Sequence, residues 1–92
     1  MITKINHKGL ERYFTTGNTS GVKKEHIKKI RLILGKLNTA YDIKDMRYPG
    51  SCLHLLKGDK KGFWSVSVSG NWRIIFRFEN GEVIDVDYID YH

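Results

Sequence analysis

The hydrophobic positions in the first half of the chain recur with a helical period, and two helices are predicted there. The longer, second helix runs from about residue 23 to about residue 37, where apolar residues recur every three or four positions. These residues are Ile27, Ile30, Ile33, Leu34 and Leu37, and Tyr41 extends their stripe. The first helix is bounded by Asn6, a plausible N-cap, and by Gly17, a residue type that ends helices. A short strand at residues 2–5 precedes it.

After Pro49 and Gly50, apolar and polar residues alternate, which is the period of a β-strand. The alternating segments cover residues 53–56, 64–68, 72–76 and 84–88, with turn-forming residues between them. Strands joined by such short turns run antiparallel, so the pattern predicts an antiparallel meander. Together with the helices this gives one α+β domain over residues 1–92.

The loop lengths decide which residues of the meander share a face of the sheet. Three-residue loops at residues 69–71 and 79–81, each with a left-handed third residue, put one apolar set on a single face. That set is Trp64, Val66, Val68, Trp72, Ile74, Phe76, Ile84, Val86 and Tyr88. Two-residue loops would mix Arg73 and Arg77 among these residues, and burying unpaired arginines is costly. We therefore expect both helices to pack on the apolar face and Arg73 to lie on an open face. His54 joins it there if Leu53 and Leu55 face the core.

Length and composition exclude several classes of protein. A chain of 92 residues has room for one core. The single cysteine, Cys52, excludes an internal disulfide, and the four histidines lie at no metal-ligand spacing, so no metal or other cofactor is expected. No apolar run has the length of a membrane span or of a signal peptide. These features predict a protein of the cytoplasm with no membrane partner.

The net charge of +6 is unevenly distributed along the chain. All 16 Lys and Arg lie within residues 1–77, whereas residues 78–92 contain five of the ten acids and no Lys or Arg. A basic body favours a polyanionic partner such as RNA, DNA or the ribosome, with an ordinary solvated surface as the alternative. The residues that we expect to bind RNA or the ribosome are Lys24, Lys28, Lys57, Lys60, Lys61 and Arg77.

The chain also carries the side chains needed to cleave RNA without a metal ion. Attack by the ribose 2′-hydroxyl requires a base, an acid and cations that stabilise the charge on the phosphorane. The candidates are His54, Lys57 and Arg73 on the open face, and Asp90, Tyr91 and His92 at the end of the chain. Each also has an ordinary structural explanation. His54 could be a surface residue, Arg73 could pair with Asp87 across the strands, and the last three residues could be a frayed tail.

The run LHLLKGDKKGFWSVSVSGNWRIIF and the ending DVDYIDYH resemble the HigB toxins of bacterial toxin–antitoxin modules, in the RelE superfamily. The early segment HKGLERYF matches as well, so the resemblance spans essentially the whole chain. It implies a small α+β fold with an open, concave, basic sheet face. It also implies a ribosome-dependent endoribonuclease that cuts mRNA in the decoding site and so halts translation.

The resemblance further implies a partner and a set of site residues. The partner is an antitoxin of the HigA type with a helix-turn-helix, and operator DNA is contacted only through the toxin–antitoxin complex. Carried over by position, the catalytic roles fall on His54, Lys57, Arg73, Asp90, Tyr91 and His92. The division of acid and base between His54 and His92 stays open. No metal belongs to this site.

Two other classes of function remain possible on the residues alone. One is a non-enzymatic nucleic-acid-binding module, and the other is an interaction protein whose acidic last strand docks a partner. Proteins that bind single strands usually stack bases on exposed aromatic rings, whereas the predicted register places Trp64 and Trp72 in the core. The chain end raises a separate question. Strict alternation would send Asp90 and His92 to the core face, so we expect the backbone to twist or leave the sheet after Tyr88.

Overall fold

The computed structural model describes residues 1–91 and confirms the α+β class. The two helices are α1 (Lys8–Thr16) and α2 (Ile27–Thr39). The strands are β1 (His54–Leu55), β2 (Trp64–Ser69), β3 (Trp72–Glu79) and β4 (Glu82–Asp90). They form one antiparallel sheet in the order β1-β2-β3-β4, which is the predicted meander. Short 3-10 turns occupy Lys24–His26, Ile43–Met46 and Gly58–Lys60.

The predicted N-terminal strand is reduced to two isolated bridges. Ile2 bridges Val83 and Ile5 bridges Val86, both in the parallel sense, so residues 2–5 lie along β4. The side chains of Ile2 and Ile5 are buried. The N-terminal segment therefore covers the β4 side of the sheet, and it leaves fewer backbone groups there open to pairing with another chain.

Helix α1 begins one residue later than the sequence suggests, because its N-cap is His7 and not Asn6. The Nδ1 atom of His7 accepts a hydrogen bond of 3.0 Å from the amide of Leu10, which satisfies one of the free N–H groups at the helix start. Gly17 ends the helix as predicted. Its backbone is left-handed, with φ of 81°, and its N–H donates to the carbonyl of Tyr13.

Helix α2 buries the predicted stripe but ends before Tyr41. Ile30, Ile33, Leu34 and Leu37 are buried in the core, whereas the side chain of Tyr41 is 91% exposed. The helix stops at Thr39, and the next residue, Ala40, adopts an extended conformation and is itself buried. The prediction for Tyr41 is therefore wrong, since the helical period no longer applies at its position.

The core lies between the two helices and one face of the sheet. Val66 and Val68 of β2 and Ile74 and Phe76 of β3 pack in one cluster with the buried residues of α1 and α2. Trp64 and Trp72 are half-buried against this cluster. The predicted core face is therefore confirmed for β2 and β3. The opposite face is free of helices and carries Arg73.

The register arises differently from the three-residue loops that we expected. Ser69 pairs with Trp72 and Glu79 pairs with Glu82, so each hairpin has a two-residue turn. Asn80 and Gly81 are both left-handed, with φ of 54° and 78°, as a type I′ turn requires. In the first hairpin the pairing shifts between Ser67 and Ser69. This shift is a β-bulge, and it restores the pairing that keeps Arg73 off the core face.

A second bulge corrects the prediction for Ile84. Because the turn has two residues, Ile84 pairs with Arg77 on the open face, and Val83 fills the core in its place. The pairing then shifts, and Asp85 is the extra residue, with a left-handed φ of 53°. Beyond the bulge, Val86 and Tyr88 return to the core as predicted. Without this bulge Asp85 would lie opposite the fully buried Phe76.

The start of α1 packs backbone to backbone against the loop before α2. A Cβ atom built on Gly9 would lie 2.4 Å from the carbonyl oxygen of Gly21, and one on Gly21 would lie 2.4 Å from the Cα atom of Gly9. Main-chain atoms have no rotamers through which to relieve such a contact. Both positions therefore depend on the absence of a side chain.

Substituting the two helical glycines is expected to change stability in opposite directions. Gly9→Ala should lower the free energy of unfolding by about 1–3 kcal/mol, because the added methyl collides with the main chain of Gly21. Gly35→Ala is the matched control in α2, where a Cβ meets nothing within 4 Å. It should raise the free energy of unfolding by up to about 1 kcal/mol through the better helix propensity of alanine. Urea unfolding measures both changes, and stabilisation of both variants would contradict the close approach.

Candidate active site

A cavity of about 330 Å³ opens on the sheet face that the helices leave free. It brings together four of the predicted catalytic residues. The lining residues are His54, Leu55, Leu56, Lys57, Ser65, Arg73 and Tyr91. Among residues 1–91, two cationic side chains and one imidazole line this cavity and no acidic side chain does, which favours an anionic occupant.

The strand register places these side chains next to one another. His54 in β1 pairs with Ser65 in β2, and Arg73 in β3 pairs with Ser67. Paired residues of an antiparallel sheet project to the same face, so His54 and Arg73 share the open face. Lys57 lies two residues after the end of β1 and is the N-cap of the 3-10 turn Gly58–Lys60. Strands β1, β2 and β3, with the segment between β1 and β2, thus supply most of the site.

The end of the chain stays in the sheet longer than expected. Ile89 and Asp90 pair with Arg73 and Trp72, and the amide of Tyr91 donates to the carbonyl of Asn71 at 2.8 Å. Of the two expected paths after Tyr88, a twist or a departure from the sheet, the departure is therefore wrong. Successive side chains continue to alternate between the two faces of the sheet, so that Tyr91 lies on the open face and lines the cavity.

The other two terminal candidates are placed differently from Tyr91. Asp90 lies at the end of β4, opposite Trp72, and is not among the residues that line the cavity. The sixth predicted catalytic residue, His92, lies outside the described residues.

Arg73, a residue that lines the cavity, has an unused donor in its guanidinium. Its Nη1 atom is shielded from solvent and has no hydrogen-bond partner within residues 1–91. The alternative pairing with Asp87 does not occur. Asp87 lies opposite Ile75, and its Oδ1 accepts from the amide of Tyr88 at 2.9 Å. A buried cationic donor without a partner is uncommon, and an anionic ligand would satisfy it.

His54 is held in one tautomer by the backbone. Its Nδ1 atom lies 2.9 Å from the carbonyl oxygen of Cys52, which can only accept, so Nδ1 carries the hydrogen. In the neutral ring Nε2 is then an acceptor and is available as a base. Cys52 itself adopts a left-handed φ of 49°, a strained conformation for a residue with a side chain. Strain of this kind beside a reactive group is often part of a functional site.

Three residues of the cavity were not among the predicted site residues: Leu55, Leu56 and Ser65. The placement of His54 on the open face was conditional on Leu53 and Leu55 facing the core. Leu55 is 54% exposed, since β1 is a two-residue edge strand with little to cover it. Leu56 is buried at the cavity wall instead. The signal for Ser65 was present in the pattern, because the predicted register already put it on the open face. Its position opposite His54 could not be read without the β1–β2 pairing.

The remaining basic candidates lie outside the cavity. Arg77 is paired with Glu79 at 2.7 Å and with Asp85 at 4.0 Å. Lys60 and Lys61 belong to the turn that follows Lys57. Lys24 and Lys28 lie on the helical side of the molecule, and Lys28 lines a groove along α2. The groove has a largely basic rim of Lys28, Lys29, Arg31 and Lys36.

Among residues 1–91, no three His, Cys, Asp or Glu side chains are grouped closely enough to hold a metal ion. None of the helices in this range is long and apolar enough to cross a membrane. The cavity itself offers an imidazole base, two cations and a phenol, a set that can act on a phosphodiester by proton transfer and charge stabilisation.

Comparison with known proteins gives one family match and one curated relative. Residues 3–92 match the family described as the RelE-like toxin of the type II toxin–antitoxin system HigB. The chain is also 42% identical over 92 residues to Endoribonuclease HigB of Proteus vulgaris, and the match covers 100% of both chains.

Solved structures of low sequence identity share the fold. The chain is similar to one in the heterotetrameric YoeB–YefM toxin–antitoxin complex of Staphylococcus aureus, with a TM-score of 0.63 and 16% identity. This match covers 100% of the present chain and 95% of the other. The YoeB/ParE toxin of Agrobacterium tumefaciens gives a TM-score of 0.51 at 22% identity, covering 100% and 99%. The predicted RelE-like arrangement of helices and sheet is thereby confirmed.

The tautomer of His54 can be tested directly. We expect Nδ1 to carry the hydrogen in the neutral ring, because the carbonyl of Cys52 accepts from it. Long-range ¹H–¹⁵N correlation spectra distinguish a protonated ring nitrogen from an unprotonated one by chemical shift. His7 serves as an internal control of opposite form, since its Nδ1 accepts from the amide of Leu10. A His54 ring protonated at Nε2 alone would contradict the assignment.

Proposed function

The chain belongs to the HigB-like family of RelE-like toxins of type II toxin–antitoxin systems, and on this premise we propose that it is an endoribonuclease that cleaves mRNA on the translating ribosome. The relative from Proteus vulgaris carries the name of an endoribonuclease. The observation that carries the proposal is the convergence of His54, Lys57, Arg73 and Tyr91 on one cavity that no acidic side chain of residues 1–91 lines.

The proposed reaction starts with the base. The ribose 2′-hydroxyl attacks the adjacent phosphorus, and its proton passes to Nε2 of His54, which the Cys52 carbonyl keeps in the accepting form. This assigns the base to His54 and leaves the acid to His92, whose role rests on the family resemblance alone. The imidazole is suited to this transfer because it can accept and release a proton near neutral pH.

Charge stabilisation is the second part of the reaction. Attack adds negative charge to the non-bridging oxygens of the phosphorane, and Arg73 and Lys57 are the cations that line the cavity. The bond from phosphorus to the 5′-oxygen then breaks, and that oxygen takes a proton from His92. The products are a 2′,3′-cyclic phosphate and a 5′-hydroxyl. Tyr91, which lines the cavity, orients the reacting groups, and the catalytic role of Asp90 is carried over from the family resemblance.

The ribosome supplies the orientation that the toxin lacks by itself. An RNA strand is flexible, and holding its 2′-hydroxyl in line with the phosphorus can contribute a large part of the rate enhancement. Lys60, Lys61 and Arg77 extend the basic surface from the cavity and bind mRNA or ribosomal RNA. Lys24 and Lys28, on the helical side, bind ribosomal RNA. The protein accordingly acts in the cytoplasm and needs no metal ion of its own.

An antitoxin of the HigA type, with a helix-turn-helix, neutralises the toxin and takes it to operator DNA. The family match supports an antitoxin partner, since the family is described by its toxin–antitoxin system. The similar fold in the Staphylococcus aureus complex supports it as well, because that toxin was solved together with its antitoxin. The toxin contacts DNA only through this complex.

Removing Arg73 should abolish most of the cleavage while leaving the fold intact. Arg73→Ala is expected to lower kcat about a hundredfold or more, the usual loss when a preorganised donor to a developing negative charge is removed. Arg77→Ala is the matched control on the same strand and face. Because both Nη atoms of Arg77 are already paired with Glu79 and Asp85, and Arg77 does not line the cavity, its loss should raise KM modestly and leave kcat unchanged. The measurement is cleavage of a translated mRNA, with circular dichroism to verify folding.

A folded Arg73→Ala protein that cleaves like the wild type would remove Arg73 from the site. Equal losses of kcat in both variants would show that the paired and unpaired arginines do not differ in function. In that case the unpaired Nη1 of Arg73 does not contribute specifically to catalysis.

Cleavage should depend on translation and should leave characteristic ends. In a translation system we expect cuts within codons of the reading frame, and a reading frame without a start codon should remain intact. The fragments should carry a 5′-hydroxyl and a 2′,3′-cyclic or 3′-phosphate, because the ribose hydroxyl is the nucleophile. Enzymatic end-labelling with and without prior phosphatase treatment reads these ends. Efficient cutting of a free oligonucleotide would refute ribosome dependence, and 5′-phosphate ends would refute the mechanism.

A further inference from the structure

Ser65, which also lines the cavity, carries a second unsatisfied polar group. Its side chain is 1% exposed, and its hydroxyl has no hydrogen-bond partner in the described part of the chain. The residue lies in the middle of the sheet, between His54 of β1 and Ile75 of β3. Buried hydroxyls in folded proteins are nearly always hydrogen-bonded, so this one calls for a physical explanation.

The unpaired hydroxyl of Ser65 and the unpaired donor of Arg73 belong to residues that line the same cavity. Ser65 and Arg73 both line it, and each has a shielded polar atom that no atom of residues 1–91 satisfies. A guanidinium only donates, whereas a hydroxyl donates one hydrogen and also accepts. One occupant can satisfy both groups if it is anionic and presents several acceptor oxygens close together. A phosphate diester does so through its two non-bridging oxygens.

We propose that Ser65 is a substrate contact, whose hydroxyl donates to a non-bridging oxygen of the phosphate that Arg73 holds. The inference rests on the proposed function, since it takes the scissile phosphodiester as the occupant of the cavity. Ser65 neither accepts nor releases the transferred proton. Its hydrogen bond strengthens as negative charge builds on the phosphorane oxygens, so it contributes to the rate as well as to binding.

A purely structural role for Ser65 makes the opposite prediction for stability. If the hydroxyl supported the fold, its removal would lower the melting temperature. An unsatisfied buried hydroxyl instead contributes nothing to the fold and carries the penalty of its desolvation. Ser65→Ala, which keeps the shape of the side chain and deletes the oxygen, should therefore leave the melting temperature unchanged or raise it.

The experiment compares wild type, Ser65→Ala and Ser67→Ala. Ser67 is the matched control, because it lies two residues further along β2 on the same face, opposite Arg73, and does not line the cavity. The first readout is the rate of cleavage of a translated mRNA. The second is binding of a dinucleotide with a 2′-deoxyribose on the 5′ side, which keeps the phosphodiester and cannot be cleaved, followed by NMR chemical shifts. Thermal unfolding is recorded for all three proteins.

Ser65→Ala should reduce both kcat/KM for cleavage and affinity for the dinucleotide about ten- to a hundredfold, the range for a hydrogen bond to a charged group. Ser67→Ala should change neither. Wild-type rate and affinity in Ser65→Ala would overturn the inference, and so would a loss of activity that follows a fall in melting temperature. Ser65-dependent binding of the dinucleotide by a wild-type protein that does not cleave translated mRNA would overturn the proposed function but support the phosphate site.

Discussion

The alternation of side chains along β3 is the constraint on which both the core and the candidate site depend. Ile74 and Phe76 are completely buried beneath the helices, and the residues between and beside them project to the other face. Arg73 is therefore placed on the open face by the same geometry that fills the core. A shift of one residue in the pairing of β3 would bury Arg73 and expose Ile74 and Phe76. The same pairing register therefore determines both the packing of the core and the geometry of the site.

Two β-bulges correct the pairing register that the turns would otherwise impose. With two-residue turns and no bulge, apolar core residues of one strand would pair with open-face residues of the next. The shift at Ser67–Ser69 and the extra residue Asp85 restore the correct pairing. Asp85 occupies a left-handed conformation that costs of order 1–3 kcal/mol in a residue other than glycine. Its carboxylate stays near the surface, where Lys4 and Arg77 pair with it.

A buried polar cluster ties the helical layer to the last strand. The phenol oxygen of Tyr88 accepts from the amide of Lys23 at 3.4 Å and lies 2.7 Å from Nδ1 of the buried His26. Burial raises the pKa of the Tyr88 phenol, so its hydrogen is retained and can be donated to His26. The rings of His7 and Trp72 pack against Tyr88. This cluster fixes β4 just before the residues that lead Tyr91 into the cavity.

The sequence predicts the features that follow from strong periodicity. The helical stripe of α2, the meander, the core face of β2 and β3 and the position of Arg73 on the open face could all be read from it. The bulges could not be read, because Asp85 carries none of the glycine signal that usually marks a left-handed residue. The length of β1 and the exposure of Leu55 could not be predicted either. Both depend on which other elements cover the edge of the sheet, and the sequence pattern does not show this.

Part of the candidate site could also be predicted from the sequence, and part is visible only in the structure. His54, Lys57, Arg73 and Tyr91 were identified from sequence, and the structure places them around one cavity. The unused donor of Arg73, the tautomer of His54 and the buried hydroxyl of Ser65 appear only when neighbours distant in sequence are known. Each of these properties depends on contacts between strands or with a neighbouring carbonyl. The alternation in the sequence shows which residues share a face, but it does not show which of them are in contact.

The proposed function requires the open-face cavity to receive the phosphate at which mRNA is cut. The most direct test is a cryo-electron microscopy structure of the protein on a ribosome that carries an mRNA with a 2′-O-methyl group at the cleaved nucleotide. We expect the scissile phosphate within hydrogen-bonding distance of the Arg73 guanidinium, with His54 Nε2 directed at the methylated 2′-oxygen. An mRNA backbone that bypasses the cavity and contacts the basic rim of the α2 groove instead would contradict it.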